Sequence, residues 1–504
     1  MRDRRKAPAR RRRGTPVQDQ LAPAGPAVSY NGLAAGPPAR LEPDAIGVAQ
    51  DTVIGMASAA PAVSVGLTLA ALAAAAAYGG GAVIIVTAIP MLIIANAYRR
   101  LNMWNANCGA SFEWVGRSIS PLLGFLTGWL MIAAYITGAV SGVEVLGPSV
   151  LAVAGADTAG TAADLAIATG VTLVMLVIAI VGIKITARTQ VSMAVAEYAI
   201  LIGFAIAGLA AVLHHHAGTF AVSGGWLSLT GIGGRGSVTA GLVAAVYIFS
   251  GWDGTVYVNE EVRHRRTNPG RAAVLAVALL TVIYALAQVG LQGVVRPAQL
   301  QAHANSALVY VAGALGGPAW AKVMALALAL SVVAATGTSI VLTARIIYGM
   351  ASYRVLPQFL ASVSRRFATP VPASILTGAL VIVITWVYLL ATSVQNAFDD
   401  VVDESGQLFA VFYILTALAT VVYYRRRVLA SARDALTLGI LPVGAAAFLV
   451  WILARYLQSA PSAQVWSLAG IVASGVLMLL VARFILRSPF FALSRESDDG
   501  TEPA

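Results

Sequence analysis

Long apolar runs recur along this chain, and short polar or glycine- and proline-rich connections separate them. A helix that crosses a bilayer needs about 20 mostly apolar residues. Helices are expected because lipid offers backbone groups no hydrogen-bonding partner, and because the runs are too long for barrel strands. The pattern predicts an all-α polytopic membrane protein with twelve transmembrane helices, at residues 47–75, 81–101, 121–147, 162–183, 190–213, 238–260, 272–294, 318–347, 371–392, 406–424, 434–456 and 465–487.

The composition excludes a soluble protein. Of the 504 residues, 58% are hydrophobic and only 11% are charged, whereas a soluble domain carries about 25% charged residues. The single cysteine, Cys108, excludes an internal disulfide and a thiolate metal cluster. The net charge of +11 would suit nucleic acid, but its distribution indicates membrane topology instead.

Basic residues are segregated to one side of the predicted membrane. With twelve spans both termini lie on the same side, and so do all but four of the 33 Lys and Arg residues. The exceptions are Arg235, Arg296, Lys322 and Arg455. The positive-inside rule therefore predicts a multi-pass protein of the plasma (cell inner) membrane with both termini cytoplasmic.

The predicted spans divide the chain into regions. Residues 1–44 and 488–504 are expected to be cytoplasmic tails, and the first is rich in Arg, Pro, Ala and Gly and is predicted to be disordered. Its arginines either contact anionic lipid or only anchor the topology. Spans 1–5 (residues 45–213) and spans 6–10 (residues 214–424) form two candidate repeats, and residues 425–487 hold spans 11 and 12.

Two spans contain helix-breaking residues near their middles. The first has Pro61 after a run of small residues, and the sixth has Gly251 and Gly254 on either side of Asp253. Interrupted spans at matching positions of two repeats indicate the binding site of a transporter. The alternative is that these residues only kink packed helices.

The broken helices predict the chemistry of the ligand. The outer half of the first span begins at its break and presents free N–H groups with a partial positive charge, which suit a carboxylate. The outer half of the sixth span ends at its break and presents free carbonyls, which suit an ammonium group. A site with both features fits a zwitterion such as an amino acid.

Three stretches have a recognisable order and spacing. They are Cys108-Gly109-Ala110-Ser111-Phe112-Glu113-Trp114 within 97–129, Phe249-Ser250-Gly251-Trp252-Asp253 followed by Asn268-Pro269-Gly270-Arg271, and Thr343-Ala344-Arg345-Ile346-Ile347-Tyr348-Gly349-Met350. Together they resemble the amino acid–polyamine–organocation permease superfamily over roughly residues 45–490. The resemblance implies a 5+5 inverted repeat of the leucine-transporter type with broken first and sixth helices. It also implies alternating access, and a transporter of amino acids or related amines rather than an enzyme.

The resemblance also implies which residues bind substrate. The first break here reads Ala-Ala-Pro-Ala, which departs from the glycine-rich break common in the family. The side chain of Phe249 or Trp252 would serve as an aromatic gate or a cation–π face, with core packing as the alternative. The implied substrate-binding residues are Ser58, Ala59, Ala60, Pro61, Ala62 and Val63 in the first span, and Tyr247, Phe249, Ser250, Gly251, Trp252 and Asp253 in the sixth.

Carboxylates inside the spans suggest how transport is driven. Glu144, Glu197 and Asp253 lie within predicted spans, where a charge costs about 2.5–3.5 kcal/mol. We predict proton coupling with Glu197 or Asp253 as the carrier, although a neutral, hydrogen-bonded structural residue is the alternative. In some proton-coupled members of the family, a lysine stands at the position of Glu197.

Sodium coupling is the competing prediction. It would use carbonyls of the first span together with the hydroxyls of Thr336, Thr338 and Ser339 in the eighth span, and ordinary helix packing is the alternative for these residues. A polyamine or other amine is the rival substrate, with Asp253 as its counter-ion, and exchange is the rival to import. A channel or a non-transporting membrane sensor of the same fold is the less favoured function.

The sequence gives no support for a cofactor, a metal site or a nucleic-acid partner. The consecutive histidines His214, His215 and His216 converge poorly on one ion and are predicted to lie in a solvated loop. The glycine-rich stretch 231–236 fits a dinucleotide pattern, but no strand precedes it. The expected partners are therefore a small amino acid or amine, a proton or sodium ion and the lipid bilayer. The pattern leaves open the identity of the substrate and the oligomeric state.

Overall fold

The computed structural model describes residues 39–498, apart from 77, 156–159, 215–218, 220–225, 227, 230–234, 304–305 and 392–393. Side chains are not described at 67, 143–145, 235–237, 391 and 394–404. Several predictions lie outside the described part: the disordered tail up to residue 38, two of the three histidines, most of the glycine-rich stretch 231–236 and the side chain of Glu144.

The described chain is helical, and its only β-type pairing is an isolated bridge between Ile46 and Val262. The helices, in chain order, are α1 (Val48–Ser58), α2 (Pro61–Ala76), α3 (Gly80–Trp104), α4 (Ser111–Ser118), α5 (Pro121–Ala154), α6 (Thr161–Val181), α7 (Ile183–Leu213), α8 (Arg235–Ile248), α9 (Asn268–Leu291), α10 (Pro297–Ala302), α11 (Ala307–Ser352), α12 (Val371–Ala391), α13 (Val394–Tyr423), α14 (Arg425–Val428), α15 (Ala432–Asp434), α16 (Leu441–Ser459) and α17 (Ser462–Leu480). Short 3₁₀ segments lie at Trp252–Val256, Asn259–Glu261, Gln358–Ala361 and Pro489–Ala492, and π-helical turns at Ala435–Ile440 and Val481–Ile485.

Ten helical stretches of the described chain are long and apolar enough to cross a membrane, and the bent pair α1–α2 brings the number to eleven. The two parts of that pair, Val48–Gly66 and Thr68–Ala76, are inclined by 54°. The protein is therefore a multi-span membrane protein. The predicted sixth span is not among the eleven because α8 has only 14 residues, fewer than the roughly 20 that a span needs. The total of twelve stays a prediction.

Several helices extend beyond the predicted spans. The fifth predicted span began at residue 190, but α7 already starts at Ile183. The eighth predicted span began at 318, whereas α11 starts at Ala307 and passes through a kink at Gly316 and Gly317, where Gly317 has a φ of 76°. Polar residues at 183–190 hide the first turns of α7 from a search for apolar runs, whereas the predicted eighth span starts at the Gly316-Gly317-Pro318 kink.

Residues 488–498, which we call the C-terminal strap, fold back over one end of the bundle. The ring of Phe490 stacks on that of Phe112 in α4, with 4.3 Å between the ring centroids. The carboxylate of Glu496 pairs with the guanidinium of Arg117 at 2.6 Å. The strap therefore packs against α4 and is held there by a stacked ring pair and an ion pair.

The strap also holds the ends of two long helices. The hydroxyl of Ser488 donates to the carbonyl of Tyr353, just after α11, at 2.6 Å. The N–H of Asp498 donates to the carbonyl of Tyr423, the last residue of α13, at 3.1 Å, and its carboxylate pairs with Arg427. One short segment therefore connects the ends of α4, α11 and α13.

Candidate functional site

The first helix break lies between α1 and α2. The helix α1 ends at Ser58, and Ala60 adopts a left-handed φ of 44°, which residues other than glycine rarely adopt. Pro61 then begins α2. Proline suits this first position because it has no N–H to leave unbonded and its fixed φ already matches a helix.

The second break follows α8. That helix ends at Ile248, and Gly251 has a φ of 99°, after which the chain continues as a 3₁₀ segment from Trp252. Glycine carries no steric penalty in this left-handed conformation. Both interrupted regions expected from the sequence are thus broken helices, with the breaks at residues 59–60 and 249–251.

The two breaks touch each other. A Cβ atom placed on Gly251 would lie 2.8 Å from the carbonyl oxygen of Ser58. One turn earlier in α1, a Cβ atom on Gly55 would lie 2.8 Å from the carbonyl oxygen of Trp252. Real Cβ atoms do not approach so closely, so these two glycines allow the broken helices to pack backbone against backbone.

A small cavity of about 40 Å³ lies beside this junction. It has room for about three water molecules and is well below the 300–1,000 Å³ typical of ligand pockets. An amino acid can therefore enter only if the walls move apart. The lining residues are Ser58, Ala59, Ala60, Val63, Ser64, Ala134, Tyr135, Gly138, Ser141, Gly142, Tyr247, Ser250, Ala335, Ser339, Ser405 and Phe409.

Glu197 reaches the first break from α7. Its side chain is fully buried, and its Oε1 accepts a hydrogen bond from the N–H of Ala62 at 2.9 Å. Ala62 is the second residue of α2, so the carboxyl group of Glu197 lies at the positive end of that helix. One of the N–H groups expected to meet a substrate carboxylate is therefore occupied by a carboxyl group of the protein itself.

Other groups at the first break are also bonded within the protein. The carbonyl of Ala59 accepts from the hydroxyl of Ser64 at 2.7 Å and from that of Tyr284 at 3.5 Å. The N–H of Ser64 donates to the carbonyl of Ala60 at 2.8 Å. These bonds brace the start of α2, and Ser58, Ala59 and Ala60 line the cavity.

Asp253 lies in a cluster of tyrosines rather than on the cavity wall. It is fully buried and accepts hydrogen bonds from the hydroxyls of Tyr257 and Tyr413, the latter at 2.6 Å. The hydroxyl of Tyr413 also accepts from the N–H of Gly251 at 3.2 Å. The carboxyl group of Asp253 therefore helps to hold the second break in shape.

The two aromatic residues predicted to face the substrate, Phe249 and Trp252, are not among the residues that line the cavity. Phe249 and Trp252 are both fully buried. The first packs edge-on against Tyr284 with centroids 5.4 Å apart, and the second lies 5.1 Å from the ring of Tyr413. The aromatic rings on the cavity wall are those of Tyr247, Tyr135 and Phe409.

The hydroxyls proposed for a sodium site are bonded mainly to their own helix. The hydroxyl of Thr336 donates to the carbonyl of Val332 at 2.9 Å, and that of Thr338 to the carbonyl of Ala334, also at 2.9 Å. This back-bonding is common for threonine in helices. Only Ser339 of the three lines the cavity.

Sequence reasoning missed the wall that α5 and α13 provide. Ala134 and Gly138 of α5 face Ser405 of α13, whose hydroxyl donates to the carbonyl of Ala134 at 3.2 Å. The small residues in α5 are a signal of close helix packing. No local pattern tells which other helix packs there, so the pairing of α5 with α13 appears only in three dimensions.

A fully buried ion pair lies near the start of the first span, between Arg345 of α11 and Glu261. The guanidinium of Arg345 binds both carboxylate oxygens of Glu261, at 2.8 and 2.9 Å, and neither side chain has any exposed surface. The carbonyl of Glu261 accepts from the N–H of Ile46 at 3.1 Å. This contact ties the start of the first span to the segment after the second break and to α11.

Within the described part of the chain, no three His, Cys, Asp or Glu side chains converge in a way that could hold a metal ion. The chemistry at the junction is that of backbone N–H groups, carbonyls, hydroxyls and two buried carboxyl groups.

Comparison with known proteins gives partial matches to curated transporters. The chain is 27% identical to the large neutral amino acids transporter small subunit 2 of Homo sapiens, over 36% of this chain and 33% of that protein. It is 29% identical to the Asc-type amino acid transporter 1 of Mus musculus, over 27% of this chain and 26% of that protein. For the b(0,+)-type amino acid transporter 1 of Rattus norvegicus, the identity is 25% over 37% of this chain and 36% of that protein. The chain thus spans about a third or less of the length of the curated relatives it matches.

A family model covers far more of the chain than these pairwise matches. The model described as amino acid permease matches residues 50–482, from the first helix to the last apolar one. The relatives named above are transporters and not enzymes, as the sequence led us to expect. The resemblance seen in the sequence is therefore confirmed, and the chain belongs to the amino acid permease family.

Proposed function

We propose that this protein is a secondary active transporter of an amino acid or related amine, working by alternating access around the cavity at the two helix breaks. The observation that carries the proposal is the contact between the breaks at Gly251 and Ser58, with a cavity beside it that both broken helices line. Broken helices that meet in this way supply opposite helix ends to one site, which suits a zwitterionic substrate.

The proposed architecture has twelve spans. The sixth would consist of α8, the break at 249–251 and the 3₁₀ segments up to Glu261. Residues 45–213 and 214–424 would form the 5+5 inverted repeat, followed by two further spans at 425–487. With both termini in the cytoplasm, the ion pair between Glu261 and Arg345 would close the inner side of a transporter in the plasma membrane.

The substrate would be held mainly by backbone groups. Its carboxylate would bind near Ser58, Ala59, Ala60, Pro61, Ala62 and Val63, and its amino group near the second break. There Tyr247, Ser250 and the carbonyl of Gly251 are close, whereas Phe249, Trp252 and Asp253 would act by holding the break in shape. The carbonyl of Gly251 accepts from the hydroxyl of Tyr135 at 3.4 Å, a long bond that an ammonium group could replace.

The contact between Glu197 and Ala62 supports proton coupling. An ionised Glu197 competes with the substrate carboxylate for the positive end of α2 and repels it. A protonated Glu197 no longer repels the substrate, so a proton and a substrate carboxylate favour each other's binding. By thermodynamic linkage this mutual preference couples the two. Glu197 is our candidate for the proton carrier, because Asp253 is already held by two tyrosine hydroxyls.

The test is uptake into proteoliposomes of a pooled panel of labelled amino acids and amines, with and without an inward proton gradient. We expect the gradient to drive at least one compound above equilibration, and separating the pool would name it. No uptake by folded protein under a proton gradient, a sodium gradient or counter-substrate would contradict the transporter proposal and favour a sensor. Accumulation driven by sodium alone would instead favour the site at Thr336, Thr338 and Ser339.

A matched pair of variants isolates the role of Glu197. Glu197→Gln is expected to retain counterflow of substrate but to lose accumulation driven by the proton gradient. Glu42→Gln is the control, because Glu42 is a half-exposed glutamate paired with Lys184 at the surface. If Glu197→Gln still accumulates substrate as the unaltered protein does, Glu197 is not the carrier.

A further inference from the structure

A second and larger cavity lies on the side of α13 that faces away from the central site. Its volume is about 440 Å³, which falls in the range of pockets that hold drug-sized molecules. It forms a groove between α5, α13, α16 and α17, and we call it the α13 groove. The lining residues are Leu130, Gln407, Leu408, Val411, Leu453, Leu457, Val465, Leu468, Ala469, Val472 and Ala473.

The helix α13 lies between the two cavities over this stretch, beside α5, which contributes Ala134 to the central cavity and Leu130 to the groove. Ser405 and Phe409 are four residues apart, so they project from the same side of the helix, and both line the central cavity. Gln407 and Leu408 project from the other side and line the groove. Anything that binds in the groove therefore packs against the back of the wall that closes the central site.

Gln407 is the exception in an otherwise apolar groove. Its side chain is 92% buried, since 8% remains exposed, and its amide oxygen has no hydrogen-bond donor. A buried acceptor without a donor is costly in an apolar environment, so the oxygen favours any occupant that brings an O–H or N–H group.

We propose that the α13 groove binds a lipid alcohol from the surrounding bilayer, a long apolar molecule whose single hydroxyl donates to the amide oxygen of Gln407. The groove has no charged side chain among its lining residues, so it offers nothing to a phosphate or carboxylate headgroup. A plain hydrocarbon chain would fill the volume but leave the amide oxygen unpaired. A neutral alcohol satisfies both parts of the site.

The experiment uses the full chain in vesicles of phosphatidylethanolamine and phosphatidylglycerol. The probe is a 16-carbon alcohol with a photoreactive diazirine at its far end, and labelled peptides are mapped by mass spectrometry. We expect labels to concentrate on peptides that contain Leu408–Val411 and Leu468–Ala473. Unlabelled hexadecanol should compete for these sites, whereas hexadecane should compete much less.

Three variants test the roles of the groove and the amide. Gln407→Leu keeps a side chain of similar size but removes the acceptor, and is expected to lower the affinity for the alcohol about fivefold, the worth of one ordinary hydrogen bond. Ala469→Phe fills the groove and should abolish the labelling. Leu477→Phe is the control, because Leu477 lies on the same helix, is 61% exposed and does not line the groove.

Thermal unfolding of each variant in detergent shows whether it folds. Gln407→Leu is expected to be at least as stable as the unaltered protein, because it removes a buried polar group without a partner. The proposal is overturned if hexadecane competes as well as hexadecanol, or if Gln407→Leu binds the alcohol normally. It is also overturned if labels spread evenly over lipid-facing helices, or if labelling falls as the protein associates with itself, which would make a second copy the occupant.

Discussion

Glu197 and Asp253 are both fully buried carboxyl groups beside a broken helix, but their surroundings differ. Asp253 accepts from two tyrosine hydroxyls, one of which also binds the backbone at the second break. Glu197 accepts one backbone N–H at the first break. A carboxyl group held by two fixed donors is part of the framework. Glu197 is held by a backbone N–H that a substrate carboxylate also needs, so it is suited to change partners. Burial alone therefore does not identify the proton carrier.

The largest expected effect comes from removing the carboxyl group of Asp253. Asp253→Leu leaves the hydroxyls of Tyr257 and Tyr413 buried without their acceptor, which is expected to cost about 4 kcal/mol of stability. Thermal unfolding of the purified protein in detergent measures the loss. Unfolding at the temperature of the unaltered protein would show that this carboxyl group is not structural and would reopen its role as a substrate counter-ion.

Gly251→Ala is expected to cause the next largest loss of stability, about 3 kcal/mol. The added methyl group must adopt a left-handed backbone conformation and displace the carbonyl of Ser58. Gly203→Ala in α7 is the control, because a Cβ atom there meets nothing within 4 Å and alanine stabilises a helix relative to glycine. Equal melting temperatures for the two variants would argue against the contact between the breaks.

Tyr413→Phe is expected to cause a smaller loss of stability, about 1.5 kcal/mol. It removes one of the two donors to Asp253 and the acceptor for the N–H of Gly251, but keeps the ring that packs on Trp252. Thermal unfolding again gives the value. A loss as large as that of Asp253→Leu would mean that the ring is displaced and not merely stripped of its hydroxyl.

Glu197→Gln is expected to change stability least, by less than about 1 kcal/mol, because its amide oxygen still accepts from Ala62. Its effect should appear in transport instead, as the loss of proton-driven accumulation described above. A large fall in the melting temperature would place Glu197 with Asp253 among the framework residues and would remove the contrast between them.

The sequence predicted most of the helices because the apolar runs are long and lipid leaves the backbone no alternative to internal hydrogen bonds. It also located the first break, since Pro61 cannot continue a helix that begins before it. It also predicted that the sixth span, 238–260, is interrupted at Gly251 and Gly254, and α8 ends at Ile248, just before them. Gly251 hinted at this end, but only its contact with Ser58 explains it.

The candidate site was predicted only in part. Of the residues predicted to bind substrate, Ser58, Ala59, Ala60, Val63, Tyr247 and Ser250 line the cavity, and their role in binding stays a prediction. Phe409 and Ser405 were missed because helix packing, not local sequence, brings α13 to the site. The hydrogen bond between Glu197 and Ala62 joins residues 135 positions apart, and no short-range pattern encodes it.

The C-terminal strap fixes one end of α13. Because Asp498 holds the carbonyl of Tyr423, one end of this helix is anchored, while Ser405 lies 18 residues away, at about 27 Å along the axis. A tilt of about 5° around the anchored end would carry Ser405 sideways by about 2 Å, enough to widen a cavity of this size. Because the strap fixes α13 at Tyr423, a tilt about that end would displace Ser405, at the central cavity, further than any residue closer to Tyr423.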